Sequence, residues 1–301
     1  MKKFSIVIAL APYRNAEVLK SIKELDYDKK KYEIIIKKGY NASENRNYGI
    51  HKSKGEIIVF IDDDAVVHKD LLKNAEKFFK ENKVDIVGGP QLTPKDDGFF
   101  AKMFGSAIES FWCSYRMADR YKMGKLNLNA DELSLTSANC FVEKSVFKKT
   151  EGFDVRLWPG EDPEFFSRAK LNGFKIAYSP NLIIYHRRRS DLFGLLKQHY
   201  NYGKVRPKKE AIDQTLINPI MIIPSIFTLY VIFLPFLLFI SKDFFFPIKL
   251  HLIIDILFGI YIGLKKNILF IPFLPFVFFL VHFSYGLGML VGLIENEKSK
   301  N

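Results

Sequence analysis

Two stretches of this chain contain no Asp, Glu, Lys or Arg over a length that can cross a lipid bilayer: LINPIMIIPSIFTLYVIFLPFLLFI, residues 216–240, and ILFIPFLPFVFFLVHFSYGLGMLVGLI, residues 268–294. About 20 apolar residues span the hydrocarbon core, so residues 216–301 are read as a membrane domain. The piece between them, 248–264, carries Lys249 and Asp255. A carboxylate at mid-span costs about 2.5 to 3.5 kcal/mol on insertion scales. Three spans is the preferred count, and two spans with a re-entrant or interfacial middle piece is the alternative.

The first 210 residues have the charged, mixed composition of a soluble domain. Residues 187–215 hold Arg187, Arg188, Arg189, Lys197, Lys204, Arg206, Lys208 and Lys209, and read as a basic juxtamembrane or interfacial segment. Basic residues stay on the cytoplasmic side, so the domain over 1–186 is expected to face the cytoplasm. The net charge of +12 raises the question of nucleic acid. Its densest cluster adjoins an apolar helix, where anionic headgroups attract Lys and Arg, so membrane lipids are the expected partner and nucleic acid is not. MKKFSIVIALA imitates a signal peptide, but a turn at Pro12 to Asn15 follows it, which favours a first buried strand. Cys113 and Cys140 have no metal spacing and are read as reduced, packed thiols.

Strand-like and helix-like runs alternate along the soluble part. Phe4 to Leu10, YEIII, Ile57 to Ile61 and Val84 to Val87 read as strands. NAEVLKSIKEL, opened by an Asn15 cap, and the run with Leu71, Leu72, Ala75, Phe78 and Phe79 read as helices. Fully apolar strands between helices predict an α/β fold with a mainly parallel sheet covered on both faces. Ligands of such sheets bind beyond the carboxyl ends of the strands, where Asp62, Asp63 and Asp64 follow Ile57 to Ile61. Alone, three aspartates read most simply as solvated turn residues or a cap. Alone, Glu161 and Asp162 before Pro163 read as a helix start, and His186 as a packed histidine.

The combination is more specific than its parts. FSIVIALAPYRNAE, NRNYGIHKSKGEIIVFIDDD, EGFD followed by GEDPEFFSR, and YSPNLIIYHRRR occur in this order over roughly residues 4–206. They resemble the family 2 glycosyltransferases of the GT-A fold, in their membrane-anchored form that serves surface and exopolysaccharide glycans. The resemblance implies a Rossmann-like GT-A domain and a nucleoside-diphosphate sugar donor. It assigns ribose contact to Asp62 and Mg or Mn coordination to Asp64, with Asp62 counted among the metal ligands and His186 either a further ligand or a phosphate contact alongside Arg187 to Arg189. Asp63 is counted with the donor-binding residues. Asp162 is implied as general base, with Glu161 second, and Pro12, Tyr13, Glu17 and Arg46 as the nucleotide-side turn and loop. One departure is clear: where the family carries an acidic turn for the nucleobase, this chain has Lys37, Lys38 and Gly39.

A hydroxyl acceptor needs a base, whereas a polyprenyl phosphate, already an anion, does not. The preferred expectation is therefore inverting transfer to a hydroxyl of a lipid-linked saccharide. A polyprenyl-phosphate transferase, a non-catalytic scaffold of a glycan assembly complex and a processive synthase are the alternatives. The aromatic run GFFAKMFGSAIESFWCSYRM is expected to pack in a core, or else to lie against the membrane near the acceptor.

Overall fold

The computed structural model describes residues 2–157, 159–213 and 217–298, the side chains of 297 and 298 excepted. Leu216, the first position of the expected membrane domain, lies outside the described residues. So do 214 and 215, which close the juxtamembrane segment, and 299–301. The chain forms two compact units, one from residues up to Asp96 with Arg116–Arg187, the other from Asp97–Tyr115 with Arg188 onward.

The first unit is built on nine strands: β1 (Phe4–Leu10), β2 (Tyr32–Lys38), β3 (Ile57–Ile61), β4 (Ala65–Val67), β5 (Ile86–Gly88), β6 (Gln91–Leu92), β7 (Asn139–Glu143), β8 (Ile176–Tyr178) and β9 (Ile184–His186). Six make one sheet in the order β2-β1-β3-β7-β5-β8, and three make a second in the order β4-β9-β6. β1 runs parallel to both β2 and β3, which explains why its apolar run is buried almost throughout. β2 is an edge strand; its burial alternates and its exposed end carries Lys37 and Lys38, charges that discourage edge pairing. The sheet is mixed, because β7 lies antiparallel between β3 and β5.

Five helices accompany these strands: α1 (Leu19–Ile22), α2 (Ala42–Lys52), α3 (Leu71–Glu81), α6 (Phe147–Thr150) and α7 (Glu161–Leu171), numbered along the whole chain. α3 buries Leu71, Leu72, Ala75 and Phe78 on one face, as its periodicity predicts. The first helix departs from expectation. Asn15 caps nothing, and only four residues are helical. The Val18 N–H, which would lie inside the expected helix, donates instead to the Asp63 carbonyl at 3.0 Å. This long-range bond anchors the segment while Val18, Ile22 and Leu25 still enter the core.

The second unit holds α4 (Phe99–Ile108), α5 (Phe111–Ser114), α8 (Leu192–Asp213), α9 (Pro219–Ile240), α10 (Phe246–Lys266) and α11 (Leu274–Lys298). Among the described residues, three of its helices are long and apolar enough to cross a membrane. In the aromatic run Ala101, Met103, Phe104 and Ala107 are buried, in accord with the expected core packing, while Phe100 and Phe111 are exposed. α8 lies against α11 backbone to backbone. A Cβ on Gly203 would come within 2.0 Å of the Tyr285 carbonyl oxygen, and one on Gly288 within 2.0 Å of that of Tyr200. Several charges of α8 are paired internally, Lys204 with Glu295 at 2.7 Å and Arg206 with Glu210 at 3.2 Å.

Candidate active site

β3 ends at Ile61, and the chain turns through Asp62, Asp63 and Asp64 into β4. The antiparallel register pairs Ala65 with His186, so β9 delivers an imidazole beside the aspartates. His186 Nε2 lies 3.1 Å from Asp64 Oδ1 and 3.6 Å from Asp62 Oδ2. On the other side of the ring, Nδ1 is 3.0 Å from the Arg187 carbonyl oxygen. A carbonyl only accepts, so Nδ1 carries a proton and Nε2 is turned toward the carboxylates.

Two arginines close the cluster from either side. Arg14, on the turn after β1, pairs with Asp63 at 2.9 Å and with Asp64. Arg46, buried in α2, pairs with Glu161 at 2.5 Å and reaches Asp62 at 3.6 Å. Glu161 opens α7 and is also held by the Gly160 N–H at 2.9 Å. Gly160 has φ of +123°, a conformation that side chains rarely adopt, and this tight entry sets Glu161 and Asp162 at the helix start. The Ser137 N–H donates to Asp162 Oδ2 at 3.3 Å.

The electrostatics follow from these contacts. Burial opposes ionisation of Asp64, yet His186 and Arg14 together hold its carboxyl well below the usual range. Burial, with repulsion from Asp64 and Asp62 and against the pull of Arg14, lifts Asp63 to about 6. Burial would lower His186, but Asp62 and Asp64 outweigh it and raise the imidazole to about 9. Asp162 is lifted to about 6, first by burial and then by the charge of Glu161, with Arg120 and Arg46 pulling the other way.

Asp62, Asp64 and His186 offer ligand atoms that all lie within 4.8 Å of one another. Asp64 Oδ1 is buried and has His186 Nε2 at 3.1 Å as its charged neighbour, the ring that would share a bound cation with it. Two carboxylates and one imidazole suit a divalent ion such as Mg or Mn.

The residues expected from sequence thus divide into two groups. Asp62, Asp63, Asp64, Arg46, Glu161 and His186 form one connected network. Asp162 stands next to it in chain and field. Pro12, Tyr13 and Glu17 lie on the segment after β1; Tyr13 and Glu17 are exposed. Lys37 extends over the Tyr48 ring, 4.9 Å from its centroid. Sequence reasoning missed Arg14, Arg120 and Asn139. Arg120 bonds the Leu133 carbonyl at 2.8 Å and so holds the loop that carries Ser137. Asn139 donates to Pro90 and Leu182 carbonyls at 3.2 and 2.6 Å. Only Arg14 had a signal, its place in the PYRN turn directly beyond a buried strand.

Residues 5–201 match the family described as glycosyltransferase like family 2. Among curated proteins, glycosyltransferase AglE of Haloferax volcanii is 28% identical over 174 residues, 57% of this chain and 53% of that protein. The O-antigen chain rhamnosyltransferase RfbN of Salmonella typhimurium is 24% identical over 154 residues, 50% and 48% of the two chains. The matched region thus spans about half the length of these relatives. Among solved structures, mannosyltransferase PcManGT of Pyrobaculum calidifontis, in complex with GDP-Man and Mn2+, superposes with a TM-score of 0.54 at 14% identity, covering 99% of this chain and 88% of that one. S. aureus TarS 1-349 gives 0.51 at 15% identity, covering 99% and 92%. At such identities the likeness is one of fold, and it agrees with a GT-A sheet followed by apolar helices.

Proposed function

The chain belongs to the family 2 glycosyltransferases, and on that premise we propose that it moves a sugar, with inversion, from a nucleoside-diphosphate sugar to a hydroxyl of a lipid-linked saccharide. The observation that carries this reading is the meeting of Asp62, Asp64 and His186 at the end of β3, with Asp162 at the start of α7 beyond Arg46. The name of one curated relative, the O-antigen chain rhamnosyltransferase, supports a place in surface-glycan synthesis.

Asp62, Asp64 and His186 would hold a divalent cation, Mg or Mn, which offsets the charge gathering on a departing diphosphate. The Mn2+ and GDP-Man bound to PcManGT support this choice of ligands. Asp162 takes the proton of the acceptor hydroxyl as that oxygen bonds to the anomeric carbon and the nucleoside diphosphate leaves from the opposite face. Glu161 is spent on Arg46, which leaves Asp162 as the base. Arg46 in turn places a fixed positive charge between Asp62 and the catalytic carboxylate. A carboxyl raised to about 6 is still mostly ionised at neutral pH and is a stronger base than an ordinary aspartate. A phosphate acceptor would not need it, and for that reason the hydroxyl acceptor is preferred.

We place the catalytic unit on the cytoplasmic side, from the basic residues bordering the first apolar helix. Protease added outside sealed cells should then spare the Lys29 to Lys31 segment; cleavage there overturns the orientation. The activity is tested by calorimetric titration of the detergent-purified chain with a panel of nucleoside-diphosphate sugars, with Mn2+ and with chelator. Metal-dependent binding of a donor is expected, and a folded protein that binds none would overturn the reading. Asp162→Asn should keep donor affinity and lower turnover at least about 100-fold. Loss of donor affinity instead would remove Asp162 from the role of base.

A further inference from the structure

The second unit contains a cluster that the transfer reaction does not use. His251 and Asp255 lie one turn apart on α10, and His282 faces them from α11; their ligand atoms all fall within 4.8 Å of one another. Asp255 is fully buried. Trp112 of α5 organises the group. Its indole N–H donates to Asp255 Oδ1 at 2.7 Å, and its carbonyl oxygen lies 2.9 Å from His282 Nε2. A carbonyl only accepts, so His282 carries its proton on Nε2 and keeps a lone pair on Nδ1. The His251 ring is fixed by stacking on Phe227, with centroids 4.0 Å apart.

Two polar atoms of the group remain unsatisfied and lie close together. Asp255 Oδ2 and His251 Nε2 are both buried, and neither has a hydrogen-bond partner. They lie 3.4 Å apart without bonding each other. A polar trio retained merely to join helices would pair these two atoms, since each orphan costs free energy in apolar surroundings. One cation between them satisfies both. For Asp255 and His282 the contacts to Trp112 match the outer hydrogen bonds that orient ligands in metal centres.

We propose that His251, Asp255 and His282 form a second metal site, which takes a divalent ion of the zinc type and ties α10 to α11 beside α5. The donor set decides the class. Two imidazoles and one carboxylate favour zinc and its late first-row neighbours, and three protein ligands leave one position open. The cluster at β3, with two carboxylates and one imidazole, favours harder ions.

The test uses the full-length chain in detergent, carrying Asp64→Ala and His186→Ala to remove the other cluster, stripped with chelator and titrated with Co2+ and then Zn2+. One equivalent of Co2+ with a visible d–d band, displaced by Zn2+, is expected. Trp112→Phe should weaken binding about 10- to 100-fold. His251→Cys should keep the stoichiometry and add a thiolate-to-cobalt charge-transfer band, which arises only if position 251 is a ligand. No bound cobalt overturns the site, as does binding that lacks this band and is indifferent to Trp112→Phe. If the background variant does not fold, His251→Cys in the otherwise unaltered chain reads the same band, and its absence is equally decisive.

Discussion

The two imidazole–carboxylate clusters among the described residues draw on the same residue types and differ in what surrounds them. Asp62, Asp64 and His186 sit between Arg14 and Arg46, so their negative charge is compensated by the protein itself. Among the described residues only His251 stands within ion-pair distance of Asp255, and its other polar contact is the neutral Trp112 indole. A cluster balanced by arginines can release and regain a cation with each donor. A cluster without countercharge, enclosed by apolar helices, gains most from a cation that stays. Environment, more than residue type, separates an exchangeable site from a permanent one.

That contrast can be broken. Asp64→Ala should abolish metal-dependent donor binding and lower turnover by at least about 100-fold, measured by calorimetry and sugar transfer; unchanged metal dependence would strip the β3 cluster of its role. His251→Ala should act in the opposite sense, lowering the melting temperature in detergent and cancelling its rise with Zn2+, while turnover stays within about threefold. A turnover loss as deep as that of Asp64→Ala would mean that both clusters serve the chemistry. The smallest effect concerns pH. Transfer requires ionised Asp162, so the rate should fall as pH drops through about 6. Glu161→Gln removes a charge that raises Asp162 and frees Arg46 to lower it further. Both changes move the acid limb toward lower pH, by no more than about one unit. A limb that stays in place would show that Glu161 does not tune the base.

Much of the first unit was legible because local pattern and tertiary demand agree there. β1 and β3 have the bounds their apolar runs predict, since a strand buried on both faces is apolar from end to end. The aspartates were placed by the rule for strand ends, and β9 brought His186 to them through a register that no local pattern encodes. Where tertiary bonds compete with propensity, the reading failed. The segment after β1 is held by the Asp63 carbonyl, so Asn15 had no helix to cap. The antiparallel β7 was not foreseeable either, because an apolar strand looks alike in both directions. Asp255 weighed against a third span until its neighbours were known. Trp112 lies 143 residues away, and no local pattern could reveal that pairing.

The glycine seam between α8 and α11 bears on how the chain is made. α8 needs the bare backbone around Tyr285 to Gly288 as its partner, and that backbone is synthesised only after α9 and α10. At about 5 to 20 residues per second, several seconds separate the two halves of the contact. Until then the narrow face of α8 has nothing to close on, and the helix emerges with Gly203 exposed to whatever else is near. The seam of the second unit therefore closes only once α11 has been made, and the face of α8 around Gly203 is among the last surfaces to be covered.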